Sequence, residues 1–307
     1  MSRTMRPMHP VLFELPGGIP VRAFGLMVAL GFLVGAHLLW PRALAEHGAD
    51  PARDPHRAAA VSFWILVGML LGARLGYVGV ELTRLAAGGA AASPVGARLV
   101  QAPWEALYLW KGGMVMYGGL IGAVVAGAWS ARRQGLSLPS ALDTGLACGF
   151  VGQAIGRVGC LMVGDDHGRV VPEAFERLPF PVTLRVPSAA WLQANPESLF
   201  PHELAGRVLW ATQTWMSIGA LAIGLCGFWL LPRRRYAGQV ALTLGLVYGL
   251  GRFAIEVFRG DEVRGLWFGG ALSTSQLLSI PLAVGCGALL FASRARREDL
   301  RRGEVRA

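Results

Sequence analysis

Seven apolar runs, each close to the length that crosses a hydrocarbon layer, follow one another along this chain of 307 residues. They cover residues 22–40, 58–80, 112–131, 138–161, 208–231, 237–258 and 273–293, with arginine clusters between them. A helix needs roughly 20 apolar residues to span the bilayer core, and it satisfies its own backbone groups where no water can. Only 16% of the residues are charged while 53% are hydrophobic, against about 25% charged in an ordinary soluble domain. The expected fold is therefore an all-α membrane protein, a seven-transmembrane helix bundle, with residues 1–307 as a single polytopic membrane domain.

The arginines between the runs set the expected orientation. Arg132 and Arg133, then Arg233, Arg234 and Arg235, then the tail with Arg294, Arg296, Arg297, Arg301, Arg302 and Arg306 belong on the cytoplasmic side by the positive-inside rule, together with Arg42, Arg53 and Arg57. An odd number of spans then puts the N-terminus outside. Residues 81–111, 162–207 and 259–272 fall on the outer face. The longest of these, 162–207, reads as a small outer-face head between spans four and five. In it "PFPVTLRVP" suggests a strand and "PSAAWLQANPESL" a short helix with a capping serine.

The net charge of +10 follows from this topology and from contact with anionic membrane lipid, and it does not point to nucleic acid. Cys148, Cys160, Cys226 and Cys286 lie in or at the ends of spans without metal-ligand spacing, so neither a disulfide framework nor a metal is expected. The first apolar run is of span length and follows a proline-containing stretch, so no cleavable signal peptide is expected.

Three arginines interrupt the apolar runs: Arg74 in "GARLGYVGV", Arg157 in "GQAIGRVGCLMVG" and Arg252 in "GLGRFAIEVF". An arginine at membrane depth costs at least about 2.5 kcal/mol and stays charged, so each is expected to face an anion or a carboxylate. In a membrane the first candidate anion is a lipid phosphate. Arg157 is followed by Asp165, Asp166, His167 and Arg169, and either aspartate could simply neutralise it. Arg252, Glu256 and Arg259 share one helical stripe, where a self-satisfied ion pair is the plain alternative. Tyr117 stands among Gly112, Gly113, Gly118 and Gly119, which could line a cavity; alternatively Gly118 and Gly122 are a small-residue packing face. Asp143, inside the fourth run, is a polar group of the kind that marks function in a span.

These strings together resemble the prolipoprotein diacylglyceryl transferase family of bacterial inner membranes. The similarity extends over "FGLMVALGFLVG", "GARLGYV", "GGMVMYGGLIGA", "GQAIGRVGCLMVGDDHG", "YGLGRFAIEVFRGD" and "STSQLLSIPLAVG". It implies a multi-pass enzyme of the inner membrane, N-terminus periplasmic and C-terminus cytoplasmic. Such an enzyme moves the diacylglyceryl group of phosphatidylglycerol onto the lipobox cysteine of a preprolipoprotein signal peptide and releases glycerol phosphate. By the resemblance Arg157 and Arg252 match signature arginines, Asp165 stands where an acid is expected, Gly156, Gly159 and Gly168 match glycines, and Gln276 matches the glutamine opening the last span. Tyr117 stands where many members have histidine, Phe24 where tyrosine is usual, and Cys160 and Val163 where asparagines are common. The string "FPHELAGR" matches the usual outer-loop pattern poorly.

The chemistry needs a thiolate nucleophile and a group that gathers the charge of a departing phosphate. Arg157, Arg252, Tyr117 and Asp165 are expected in the catalytic centre. Arg74, Gly156, Gly159, Gly168, His167, Glu256, Arg259 and Gln276 are expected to bind substrate. Tyr117, Asp165 and His167 are the candidate proton acceptors, and no cofactor is expected. A non-catalytic lipid-binding paralogue and a small membrane transporter are the alternatives, although the chain shows no inverted repeat or ring of like charges. An intramembrane hydrolase is disfavoured because Ser62 and Ser217 lack an adjacent histidine motif.

Overall fold

The computed structural model describes residues 8–16, 19–108, 113–260 and 265–306. Gly112, expected to frame Tyr117, lies outside the described residues. In chain order the helices are α1 (Ala23–Phe32), a π-helical segment (Leu33–Leu39), α2 (Trp40–His47), α3 (Asp54–Ala92), α4 (Pro94–Gln101), α5 (Met116–Arg133), α6 (Leu138–Val163), α7 (Ala189–Ala194), α8 (Thr212–Leu230), α9 (Gln239–Glu256) and α10 (Thr274–Arg306). Three antiparallel strand pairs join β1 (Val11–Leu15) to β2 (Ile19–Arg22), β3 (Thr183–Arg185) to β4 (Val208–Trp210), and β5 (Leu266–Trp267) to β6 (Leu272–Ser273).

This is an all-α membrane protein. Among the described residues, five helical stretches are long and apolar enough to cross a bilayer: Ala23–His47, Asp54–Gly89, Leu138–Val163, Thr212–Arg233 and Thr274–Ser293. The other two expected spans are regular helices of 18 residues, α5 and α9, whose hydropathy is lowered by Arg132 and Arg133 in one and by Arg252 and Glu256 in the other. The second apolar run was expected to end at residue 80, but α3 continues through Ala92, with Gly89 at φ +67° as the break. No helix breaker stands between Val80 and Gly88, and leucine and alanine favour continuation.

The chain forms two compact units, Leu44–Ala141 and Met1–Ala43 with Leu142–Ala307. In the first, α3 and α5 meet through glycines. A Cβ on Gly68 would come within 2.5 Å of the Ala126 Cβ, and one on Gly72 within 2.9 Å of the Gly122 Cα. The packing-face reading of Gly118 and Gly122 therefore holds. Ser93 caps α4 by accepting from the Gly96 amide at 2.8 Å while its hydroxyl donates to the buried Glu81 at 2.6 Å.

In the second unit α6 is central. Gly152 approaches Gly31, and Gly159 packs so closely on α1 that a Cβ would sit 2.9 Å from the Met27 Cβ. On another side, Gly224 and Gly227 of α8 lie on Val151 and Ala147, and the Ser217 hydroxyl donates to the Ala154 carbonyl at 2.7 Å. Asp143 has a structural role: fully buried, it accepts from Arg234 at 3.0 Å and from the Gly238 and Ala241 amides at 2.8 Å, so it caps α9 from a neighbouring helix.

Between α6 and α8 the chain contributes Leu184, Val186, Leu192, Phe200 and Leu209 to an apolar cluster that also takes in Leu161 of α6 and Met8. The strand read in "PFPVTLRVP" is β3. The helix read in "PSAAWLQANPESL" is α7, whose N-cap Ser188 accepts from the Trp191 amide at 3.3 Å.

Candidate functional site: an alternating arginine–carboxylate chain

The site begins where α6 stops. Gly164, at φ +85°, ends the helix, and its amide and that of Asp165 both donate to the Cys160 carbonyl, at 2.9 and 3.0 Å. Asp166 also has a left-handed backbone, φ +53°, a conformation that aspartate tolerates better than most side chains. Its carboxylate reaches back to α6, where one oxygen accepts from Arg157, and the other oxygen accepts from Arg259. Two further bonds hold this turn: the Thr212 hydroxyl donates to the Asp166 carbonyl at 2.9 Å, and the Gly260 amide to the His167 carbonyl at 3.0 Å.

The network continues through the end of α9. Arg259 lies 3.8 Å from Glu256, Glu256 accepts from Arg252, and Arg252 donates through its other terminal nitrogen to the Ser275 hydroxyl at 2.8 Å. Arg157, Asp166, Arg259, Glu256 and Arg252 thus alternate in sign. Burial raises the Asp166 carboxyl, but Arg157 and Arg259, with Arg252 behind them, outweigh it and hold the group below the usual carboxylate range.

Arg157 is the open member of this chain. Its Nη1 serves both Asp166 and, at 3.8 Å, the Cys160 sulfur. Its Nε and Nη2 have no partner among the described residues. That edge of a guanidinium presents two parallel N–H groups, the geometry that grips a phosphate or carboxylate through two bonds at once.

The other expected residues divide. Asp165 accepts from the Asp166 amide at 2.9 Å, and the bridging position falls to Asp166, its neighbour. His167 is buried, not a surface histidine; its Nδ1 donates to the Gly168 carbonyl at 3.1 Å and its ring lies 5.8 Å from that of Phe200. Gly159 and Gly168 are close-approach glycines, the latter with Trp210 where a Cβ would be, whereas Gly156 has room for a Cβ. Gln276 and Ser273 form a reciprocal cap at the start of α10: the Ser273 amide donates to Gln276 Oε1 at 3.0 Å, and the Gln276 amide to Ser273 Oγ at 3.2 Å.

Arg74 and Tyr117 belong to the other unit. Arg74 was expected to face an anion. Instead it donates to three backbone carbonyls, those of Ala106 at 2.7 Å, Glu105 at 2.8 Å and Gly113 at 3.1 Å, and clamps the connection ahead of α5. Tyr117 is half-buried in the first turn of α5.

As for metal binding, Cys160, Asp165 and Asp166 place possible ligand atoms within 4.8 Å of one another. Both Asp166 oxygens already accept from guanidinium groups, so this group serves an ion-pair network. Sequence reasoning passed over Ser275 and Thr212, single hydroxyls with no motif to distinguish them.

Fold and site together define the class as an all-α membrane protein with an alternating arginine–carboxylate network at a helix end, in which one guanidinium edge has no partner among the described residues. More narrowly, the chain belongs to the prolipoprotein diacylglyceryl transferase family, which it matches over residues 10–292. It is 30% identical over 273 residues to a phosphatidylglycerol–prolipoprotein diacylglyceryl transferase of Geobacter sulfurreducens, covering 89% of this chain and 90% of the relative. Similar relatives of the same name occur in Mannheimia succiniciproducens, 30% identical over 94% of both chains, and in Rhodospirillum centenum, 31% identical over 90% of this chain and 88% of the relative.

Proposed function

We infer that this chain transfers the diacylglyceryl group of phosphatidylglycerol to the lipobox cysteine of preprolipoproteins. The observation that carries the reading is the open Nε–Nη2 edge of Arg157, held in place by Asp166 and Arg259. In the reaction the cysteine sulfur attacks the glyceryl carbon and forms the C–S bond as the C–O bond to phosphate breaks. The electron pair leaves on the phosphate oxygen as glycerol phosphate, and the thiol proton passes to a base. Arg157 holds the phosphate and gathers its growing charge, and Arg252, through Glu256 and Arg259, fixes the far end of the network. Asp166 is a poor base because its proton affinity is already lowered, which leaves Tyr117, Asp165 and His167 as candidate acceptors.

The topology that fits this chemistry has seven spans, with α5 and α9 crossing besides the five most apolar stretches. The protein lies in the bacterial inner membrane, with the N-terminus and the 162–207 head on the periplasmic side and the C-terminus in the cytoplasm. Its partners are then phosphatidylglycerol and preprolipoprotein signal peptides.

The test is purified protein in phosphatidylglycerol vesicles with a lipobox peptide, read by mass spectrometry for the thioether, alongside rescue of a strain depleted of its own transferase. Thioether formation and rescue are expected. Lipid binding without product would leave a lipid-binding paralogue.

A further inference from the structure

Gln213 is fully buried in the first turn of α8, and neither its side-chain oxygen nor its side-chain nitrogen has a partner among the described residues. The neighbouring Thr214 hydroxyl is likewise buried without one. A buried carboxamide with both halves unused is uncommon, because it has given up water and gained nothing from the protein. The same turn has no side-chain cap; the Thr214 amide donates to the Ala211 carbonyl at 3.0 Å, and the amides of Thr212 and Gln213, ahead of the helix's own bonding, point toward the same end.

Two observations place this turn beside the arginine chain. Thr212, the residue before, donates its hydroxyl to the Asp166 carbonyl. The buried face of α8 also keeps register with α6: Gly227 lies on Ala147, Gly224 on Val151, and Ser217 on the Ala154 carbonyl. One helical turn further along both antiparallel helices brings Gln213 level with Val158, next to Arg157.

We propose that Gln213 and the uncapped first turn of α8 form the head-group half of the lipid site, binding the hydroxyls of a polyol attached to the phosphate that Arg157 holds. This rests on the phosphate role given to Arg157 above. A carboxamide accepts from one hydroxyl and donates to another, and helix-end amides suit the oxygens of a phosphate ester. A vicinal diol one ester bond from the phosphate offers those groups at that reach. Gln213 thereby selects among lipids of equal charge, because a head group without hydroxyls leaves its amide unpaired.

The test compares phosphatidylglycerol with phosphatidylpropanol, a diester of the same charge without head-group hydroxyls, as donors to a lipobox peptide. The unaltered protein is expected to favour phosphatidylglycerol by about tenfold or more in kcat/KM, and Gln213→Met to bring that ratio close to one through loss on phosphatidylglycerol. The thermal unfolding midpoint of Gln213→Met should not fall, since neither amide atom has a partner to lose among the described residues. Gln213→Glu, which keeps size and acceptor but not the donor, should give an intermediate ratio and carries the test if the methionine variant does not fold. Equal use of both lipids by the unaltered protein, or equal losses on both in the variants, overturns the proposal. Failure of the unaltered protein on either lipid would instead remove the transferase reading.

Discussion

Asp166 and Arg259 lie 93 positions apart in the chain and are joined carboxylate to guanidinium, so that the turn after α6 and the end of α9 are tied by one ion pair. The other oxygen of the same carboxylate holds Arg157. The charge that positions the open arginine is thus shared with the residue that links it to Glu256 and Arg252.

Replacing Arg157 with lysine keeps the charge and removes the planar fork. Thioether formation should fall by about 10²-fold or more while the protein still inserts and purifies as before. A peptide assay in phosphatidylglycerol vesicles decides it; near-unaltered turnover would take the phosphate away from Arg157.

Asp166→Asn should leave two guanidiniums without their bridge and lower stability by about 3 kcal/mol, toward the lower end for a broken buried pair because the carboxylate is 19% exposed. The pH dependence has a definite sign. With its folded value lowered, the carboxyl contributes fully above its ordinary value of about 3.9 and loses that contribution as pH falls through the lower folded value. Unfolding midpoints of the two proteins in detergent should therefore differ by a constant amount from pH 8 to about 5 and converge only below about pH 4.

Arg74→Met removes donors to three partly buried carbonyls, each of which loses a charge-assisted hydrogen bond of about 1.5–3 kcal/mol. The expected result is a sharp drop in folded protein recovered, with an unchanged KM for phosphatidylglycerol in what survives. A raised KM at full recovery would return Arg74 to the substrate site.

Tyr117→Phe should reduce turnover by about 10²-fold if the hydroxyl takes part in proton transfer, and Tyr117→His should be tolerated because the family's usual residue returns. Full activity in the phenylalanine variant would leave the proton acceptor to Asp165 or His167.

Orientation can be read with single cysteines introduced into a background whose four native cysteines are replaced by serine. A membrane-impermeant maleimide should label Glu176→Cys in intact cells and Arg235→Cys only after permeabilisation. The reverse pattern would overturn the periplasmic placement of the head and of the chemistry with it.

Much of this was legible in the sequence because membrane helices declare themselves by length and hydropathy, and because Arg157, Arg252 and Glu256 are conspicuous inside such runs. The cap at Ser188 and the packing face at Gly118 and Gly122 were also readable, as each rests on local spacing. The choice between Asp165 and Asp166 was not, since it depends on a left-handed residue that decides which carboxylate turns back to α6. The partners of Arg74 were not legible either, because backbone carbonyls of a folded connection leave no trace in composition. Nor were those of Asp143: Arg234 and the amides at the start of α9 lie more than 90 residues on. Gln213 stands in "ATQTW", a string with no periodic or charged signal, and only its burial without partners distinguishes it.

The glycine contact between α3 and α5 has a mechanical consequence. With backbone against backbone at Gly68, Gly72, Gly118 and Gly122, one helix cannot rotate without driving its neighbour. This pair therefore behaves as a stiff plank.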